Sequence, residues 1–462
     1  MSREGAELRN GEVSHWMRRR TPVVPLVEVP ATADLVVVGG GLTGLWTAYY
    51  AVRRDPGMRV VVLEAEQVGY GASGRNGGWM SPLLPGNREV YARRAGAAAV
   101  GDFQRAMFDT VEECLQVMER EGIEADQVRG GQLSVARTEA GLARLRGVRE
   151  GHLRHGFREE EVQLLDGPAV RARLAVDGAR GGLLLPATTR IDPAALVRGL
   201  ARVLRERGVS ICERARVSSL SAGTVGSSRG SVRTTHTAVC AEAYTPALLG
   251  GRTVVPVSSA VVVTEPLPEP TWQQIGWEAR ECLNDAAHTF VYCQRTADDR
   301  ILIGGRGTPY AFGSGLPGDG EVDARTLAAL RRRLHAFFPG LDPPLAHAWR
   351  GVIGVTRDWC AGVLHDPETR TGVARGFAGH GVTATNLAAR TLLDRLHGER
   401  TALTELPWND HDSGVWEPEP LRWLGIHGAY RLLAAADRWE ESRGSRRTSL
   451  LARAGSRLAG LE

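Results

Sequence analysis

The chain contains no lysine: all 57 of its basic residues are arginine. Lysine-based catalysis is thereby excluded, and every fixed cation in the protein is a guanidinium. Cysteine is sparse and unpatterned. Cys114, Cys212, Cys240, Cys282, Cys293 and Cys360 form no C-x-x-C pair and no regular framework, which argues against a disulfide scaffold and fits a reducing, cytoplasmic setting. Long hydrophobic runs are missing as well. No stretch approaches the ~18 apolar residues of a membrane span, and Met1 to Asp34 holds no continuous apolar segment of the kind a secretory leader carries. A formal charge of +4 spread over 462 residues leaves no concentrated basic field, so nucleic acid is not an expected partner. The twelve histidines show no ligand spacing. His152 and His155 are one helical turn apart among arginines and read as an exposed helix face, so no metal is expected.

What is present is concentrated in residues 34–78. A buried strand, Leu35 to Val38, runs into Gly39-x-Gly41-x-x-Gly44 and an apolar helix, and a second strand, Val60 to Leu63, ends on an acid, Glu64. Each residue type has a physical task. Gly39 permits the tight turn, Gly41 lets the backbone approach a pyrophosphate, and Gly44 lets the helix pack closely on the sheet. The helix start beyond them offers free N–H groups and the positive end of a dipole to two phosphates. Glu64 stands 20 residues past Gly44, where a carboxylate accepts both hydroxyls of an adenosine ribose and repels a 2′-phosphate. The unit is a dinucleotide site that disfavours NADP.

Further along, Phe103, Met107, Val111, Cys114 and Met118 repeat at helical spacing as a core stripe that stops at Gly122. A strand at Gln132 to Ala136 and an Arg/Glu-rich helical surface to about Glu161 follow. Asp192-Pro193 opens a helix that buries Leu196, Leu200, Val203 and Leu204 and ends at Gly208. Strands at Val209 to Cys212 and Thr237 to Ala241 return the chain to the first sheet. Between about Pro256 and Pro344 the pattern is strands and turns closed by a helix with Leu327, Leu330, Leu334 and Phe337. Then come the strand of WRGVIGVTRDW and a second glycine-rich helix entry, GFAGHGVTATNLAAR. The expected layout is an arm (1–33), a discontinuous nucleotide domain (34–100, 187–255 and 345–410), a β-rich domain interleaved with it (101–186 and 256–344) and a helical tail (411–462). The tail, rich in Trp, Leu and Arg, is open to a membrane surface. Packing on the parent domain or on a second subunit is the expectation.

The GGGLTG turn with Glu64, GASGRNGG (Gly71 to Gly78), TRIDPAALVRGLA (Thr189 to Ala201), AEAYTP (Ala241 to Pro246) and GFAGHGVTATNLAAR together resemble the D-amino acid oxidase family of FAD-dependent oxidoreductases, in the branch of glycine and sarcosine oxidases and gamma-glutamylputrescine oxidase. The likeness runs from roughly Ala33 to Trp408. It implies an α/β fold of the glutathione reductase type: a Rossmann-like FAD-binding domain with an interleaved β-rich substrate domain. It also implies FAD held through its ADP half at Gly39, Gly41, Leu42, Thr43, Gly44, Glu64 and Ala65. In such relatives the segment matching Ser73, Gly74, Arg75, Asn76, Gly77 and Gly78 passes beneath the pyrophosphate and flavin edge, and the residue matching Val217 holds the adenine. The residues matching Gly379, His380, Gly381, Val382 and Thr383 present a helix start to the flavin, where negative charge on the reduced ring is favoured. Gly351 aligns where covalent-flavin relatives carry cysteine, which implies noncovalent FAD. The lysine of fast oxygen-reacting relatives, in the strand matching ILIGG, is absent, so the acceptor is dioxygen or another oxidant. The family's usual threonine is replaced within Cys240-Ala241-Glu242-Ala243.

With one dinucleotide fingerprint, the substrate itself is expected to reduce the flavin. A small amine or amino acid, neutral at nitrogen, would give up hydride from its α-carbon to N5, and the resulting imine would hydrolyse. His380 and Asn76 are the candidate catalytic contacts, and Tyr292, Arg306, Tyr310, Trp349 and Arg350 the candidate substrate walls, either arginine suiting a carboxylate bidentately. A 2-hydroxy-acid dehydrogenase with His380 as base, and a non-catalytic flavoprotein, are the alternative readings. The oligomeric state is not fixed by the sequence.

Overall fold

The computed structural model describes residues 7–18, 26–316 and 318–461. Two sheets organise it. In the first, strands Ser210–Cys212, Val60–Leu63, Thr32–Val38, Gly230–Val239 and Thr371–Arg375 lie side by side in parallel. Parallel strands need both faces covered, and Val36, Val37 and Val62 are fully buried accordingly. Helices α1 (Leu42–Arg54), α2 (Arg88–Arg120), α3 (Pro193–Glu206) and α4 (Gly381–Leu396) share one continuous apolar core with this sheet. The antiparallel meander Val217–Ser221, Thr224–Ser227 and Gly230–Val239 covers the other face. Asp192 caps α3 by accepting the N–H groups of Ala194 and Ala195, each at 2.9 Å.

Among the described residues the second sheet has nine strands. From one edge to the other they are Arg9–Asn10, Leu345–Thr356, Val254–Thr264, Ile301–Gly305, Tyr292–Arg295, Cys282–Asp285, Gln132–Ala136, Gly181–Leu185 and Gln163–Asp166. Three expectations change here. Strand Leu345–Thr356 pairs antiparallel with Val254–Thr264 and so belongs to the second sheet, not to the nucleotide domain. Helix α2 carries its stripe (Phe103, Met107, Val111, Cys114, Met118) into the first core, so 101–120 is not part of the β-rich domain. His152 and His155 are buried, at 4% and 6% exposure, rather than displayed: the His152 ring packs on Phe157, and His155 Nδ1 hydrogen-bonds the Gly151 carbonyl one turn back in the same helix. Burial pushes the His152 imidazole down to about 3.

The arm is part of the fold. Arg9 and Asn10 pair in parallel with His347 and Ala348, and Trp16 is 1% exposed. In the tail, α5 (Leu421–Arg443) and α6 (Leu450–Ala459) pack on each other and back on the body. Among the described residues no helix is long and apolar enough to cross a membrane. All six cysteines are free and buried.

Candidate active site

The first glycine turn is built as its spacing requires. Gly39 has φ +110°, and a Cβ there would lie 2.6 Å from the Cys240 carbonyl oxygen. At Gly44 a Cβ would collide with the Gly39 carbonyl oxygen, so the helix can lie this close only with glycine. Glu64 accepts the N–H groups of Gly40 (2.6 Å) and Glu66 (2.9 Å), and burial raises its carboxyl above the ordinary carboxylate range. Leu42 N–H donates to the Ser73 hydroxyl at 2.8 Å, which fastens the second glycine segment to the start of α1.

From this turn a groove of about 320 Å³ runs along the end of the first sheet. Gly39, Gly41, Leu42, Thr43, Glu64, Ala65, Ser73, Asn76, Val217, Gly379, Gly381 and Val382 line it. Of the other residues expected at the cofactor, Gly44, Gly74, Gly78 and Thr383 stand behind the lining, Thr383 at 1% exposure. Gly78 has φ +70° and is pressed against Ile191 and Gln294.

The groove opens into a second cavity of about 630 Å³ between the two sheets; Asn76, Val352, Ile353, Gly379 and Val382 are among the residues common to both. Arg75, Gly77, Tyr292, Arg306 and His380 line this cavity. The Tyr292 ring lies across Gly304 and Gly77, filling the volume that a side chain at either position would need. Its hydroxyl hydrogen-bonds Ser259 at 2.9 Å, and Trp79 meets it edge-on at 5.9 Å. Arg306 makes no ion pair or hydrogen bond with a described residue. His380 is exposed to the cavity, and the protein around it, with Arg88 and Arg306 nearby, pushes its imidazole down to about 4. It is neutral at pH 7.

Other expected site residues have different tasks. Asn76 spends its side chain on its own loop: Nδ2 donates to the carbonyls of Ala72 (3.1 Å) and Ser73 (2.9 Å), and Oδ1 accepts from Gly78 N–H (2.8 Å). Arg75 lies over the Tyr70 ring and donates to the Tyr70 and Arg350 carbonyls. Three of the five expected substrate walls line neither cavity. Tyr310 is 1% exposed and donates to Glu419 at 2.7 Å, anchoring the start of the tail. Trp349 is fully buried and donates to the Arg75 carbonyl at 2.9 Å. Arg350 contributes backbone bonds to Arg75 and Gly320. Trp349 and Arg350 are neighbours on one strand and Tyr310 lies in a loop, so residue type alone does not say which of them meets the cavity; the packing around each does.

Sequence reasoning missed several contributors. Ser14 Oγ donates to the Gly74 carbonyl (2.6 Å) and Trp16 Nε1 to the Asn76 carbonyl (3.0 Å), so the arm holds the second glycine segment from behind. Glu242, where the family's threonine is replaced, accepts the N–H groups of Gly376 (2.8 Å) and Phe377 (3.1 Å), and burial raises its carboxyl to about 7. No local signal marks these roles, because each depends on segments brought together from far apart.

The groove suits FAD on one further observation. Helices α2, α3 and α6 begin with a side-chain cap; α1, α4 and α5 do not, and of these α1 and α4 start on the groove. Two helix starts without side-chain caps on one glycine-lined groove provide for a diphosphate at one end and an anionic ring at the other.

A dinucleotide groove that empties into a separate reactant cavity is the plan of a nucleotide-dependent oxidoreductase. The model of the FAD dependent oxidoreductase family (DAO) matches residues 34–395, and the chain belongs to that family. Gamma-glutamylputrescine oxidoreductase of Escherichia coli K12 is 31% identical over 379 residues, covering 80% of this chain and 84% of that protein. Among solved structures, glycine oxidase from Geobacillus kaustophilus superposes with a TM-score of 0.66 at 21% identity, over 83% of this chain and all of that one. L-amino acid deaminase from Proteus myxofaciens, in complex with anthranilate, gives 0.69 at 15% identity over 87% and 99%. The protein is thus a flavin-dependent oxidoreductase with the expected α/β architecture.

Proposed function

We propose that the protein oxidises the C–N bond of a small amino acid or carboxylate-bearing amine, with FAD held noncovalently and electrons passed on to dioxygen or another acceptor. Bound FAD supplies the two-electron acceptor for the substrate C–H hydride. The observation that carries the reading is Arg306: a guanidinium on the cavity wall with no carboxylate partner among the described residues, beside a neutral His380 at the mouth of the groove. A substrate carboxylate on Arg306 would form a charge-assisted pair, fixing the α-carbon toward the groove. Tyr292, buttressed by Trp79 and Ser259, limits how that carbon can turn. The cationic surroundings of the cavity favour the neutral amine over its ammonium form, so no base is required once the amine binds unprotonated.

A 2-hydroxy acid needs a base for its hydroxyl proton, and His380 at about 4 is a weak one at neutral pH. That favours amines. Noncovalent attachment is supported by Gly351, which offers no thiol, and by Cys240 on the groove, whose thiol burial holds up at about 12. The gamma-glutamylputrescine, glycine and L-amino acid relatives all bear a carboxylate in their named substrates, in keeping with Arg306. A reduced, cytoplasmic location fits six unpaired thiols.

The test is anaerobic bleaching of the flavin absorbance by a panel of amino acids, carboxylate-bearing amines, simple amines and 2-hydroxy acids. Carboxylate-bearing amines should reduce the wild type. In Arg306→Ala the concentration needed for half-maximal reduction should rise about 100-fold, the scale of a charge-assisted hydrogen-bonded pair. Reduction by 2-hydroxy acids alone would overturn the reading.

A further inference from the structure

The tail lies beyond residues 34–395, where the family likeness holds, yet it forms part of the wall of the reactant cavity. Helix α5 contributes Ala429, Tyr430 and Leu433 to the lining, and the end of α6 adds Ala459 and Leu461. This wall is fastened by buried acids. Glu440, 1% exposed, accepts from Arg144 at 2.6 Å, pairs with His288 at 3.0 Å and accepts Ser449 N–H at 2.9 Å, tying both helices to the body. Asp437 accepts the N–H groups of His288 (2.8 Å) and Thr289 (2.9 Å) and the Thr289 hydroxyl (2.6 Å). Trp359 Nε1 donates to the Ala459 carbonyl at 2.7 Å. His288, Thr289 and Trp359 themselves line the cavity, so the tail is bonded to the very residues it completes.

The lining of the cavity is of two chemistries. Arg306 and His380 supply charge and a titratable ring to the lining, whereas what the tail itself contributes, Ala429, Leu433, Ala459, Leu461 and the ring of Tyr430, whose hydroxyl bonds no described residue, is apolar. We infer that the C-terminal helical pair is the specificity wall of the enzyme, receiving the apolar substituent of a substrate whose carboxylate lies on Arg306. The inference rests on the reading of this cavity as the substrate site. It assigns the substrate class as an amino acid or N-substituted amine with a sizeable apolar arm, rather than glycine or a doubly charged polyamine.

Titration of the flavin spectrum of the FAD-loaded enzyme with carboxylates that cannot be oxidised, from acetate through butyrate to 3-phenylpropionate, reads occupancy without turnover. In the wild type, affinity should climb with the apolar group. Leu433→Ser and Tyr430→Ser should each weaken 3-phenylpropionate about tenfold while changing acetate less than twofold, the scale of losing one buried apolar contact. Leu433→Met should stay near wild type. Leu433→Trp, which fills the cavity without adding polarity, should abolish 3-phenylpropionate binding and spare acetate, so the inference stays testable if a serine variant is recovered without flavin. A flat series in the wild type, or equal losses for acetate and 3-phenylpropionate in variants that retain FAD, would overturn it. Arg306→Ala separates the two readings. If that variant binds the series as the wild type does while Leu433→Ser still loses 3-phenylpropionate, the anchor fails and the wall stands.

Discussion

At the scale of single residues, two half-buried carboxylates govern the groove by different means. Glu64 turns both oxygens onto backbone N–H groups of the segments it joins, in the position where a ribose would compete for them. Glu64→Ala should lower FAD affinity about 10- to 100-fold by removing two charge-assisted acceptors, measured by titrating FAD into the stripped protein. Glu242 differs in that its carboxyl is raised to about 7. A carboxyl raised above its ordinary 4.5 holds its proton more tightly when folded, so its contribution to stability is full below about 4.5 and is lost as pH rises through about 7. The melting temperature of the holoenzyme should therefore fall across that window relative to Glu242→Gln, which keeps the shape without the charge; parallel curves would refute this. Gly41 and Glu64 were legible from spacing alone because their partners lie within one βαβ unit. Glu242 was legible only as a departure, since its partners at Gly376 and Phe377 are more than 130 residues away.

At the scale of elements, the two helices of the groove have in common a glycine-rich entry and no side-chain cap from their own N-cap residue. A side-chain cap at either start would occupy the N–H groups that an anion needs. Both helices could be read from glycine-rich entries followed by apolar runs. The cavity walls were harder. Tyr292 and Arg306 line the cavity, whereas Trp349, Arg350 and Tyr310 do not: Trp349 and Arg350 sit in a strand whose burial shows no clean alternation, and Tyr310 in a loop whose course no local pattern fixes. The arm is the clearest case of an element whose role pairing alone reveals. Trp16→Ala should cost on the order of 3 kcal/mol of stability, as for other large-to-small changes at fully buried aromatics. It should also lower the FAD content of purified protein, because Trp16 Nε1 and Ser14 Oγ hold the Asn76 and Gly74 carbonyls. Thermal unfolding and the ratio of flavin to protein absorbance report the two effects separately.

At the scale of the whole molecule, the reactant cavity is assembled from both sheets and the tail, and no single domain contains it. The interleaving was legible because the return of strand–helix–strand patterns is a strong signal. The assignment of Leu345–Thr356 was not, since a buried strand of this composition suits either sheet. FAD attachment is a property of the entire groove: precipitation of the holoenzyme with acid should release all of its flavin into the supernatant, and retention of yellow colour in the pellet would contradict noncovalent binding.

The pairing of Arg9 and Asn10 with His347 and Ala348 also has a consequence in time. A ribosome releases residue 9 long before residue 347, so the earliest segment must wait, unpaired, for a strand made 338 positions later. The groove itself includes Gly379, Gly381 and Val382, later still in the chain, which makes cofactor capture a late event of synthesis rather than an early one.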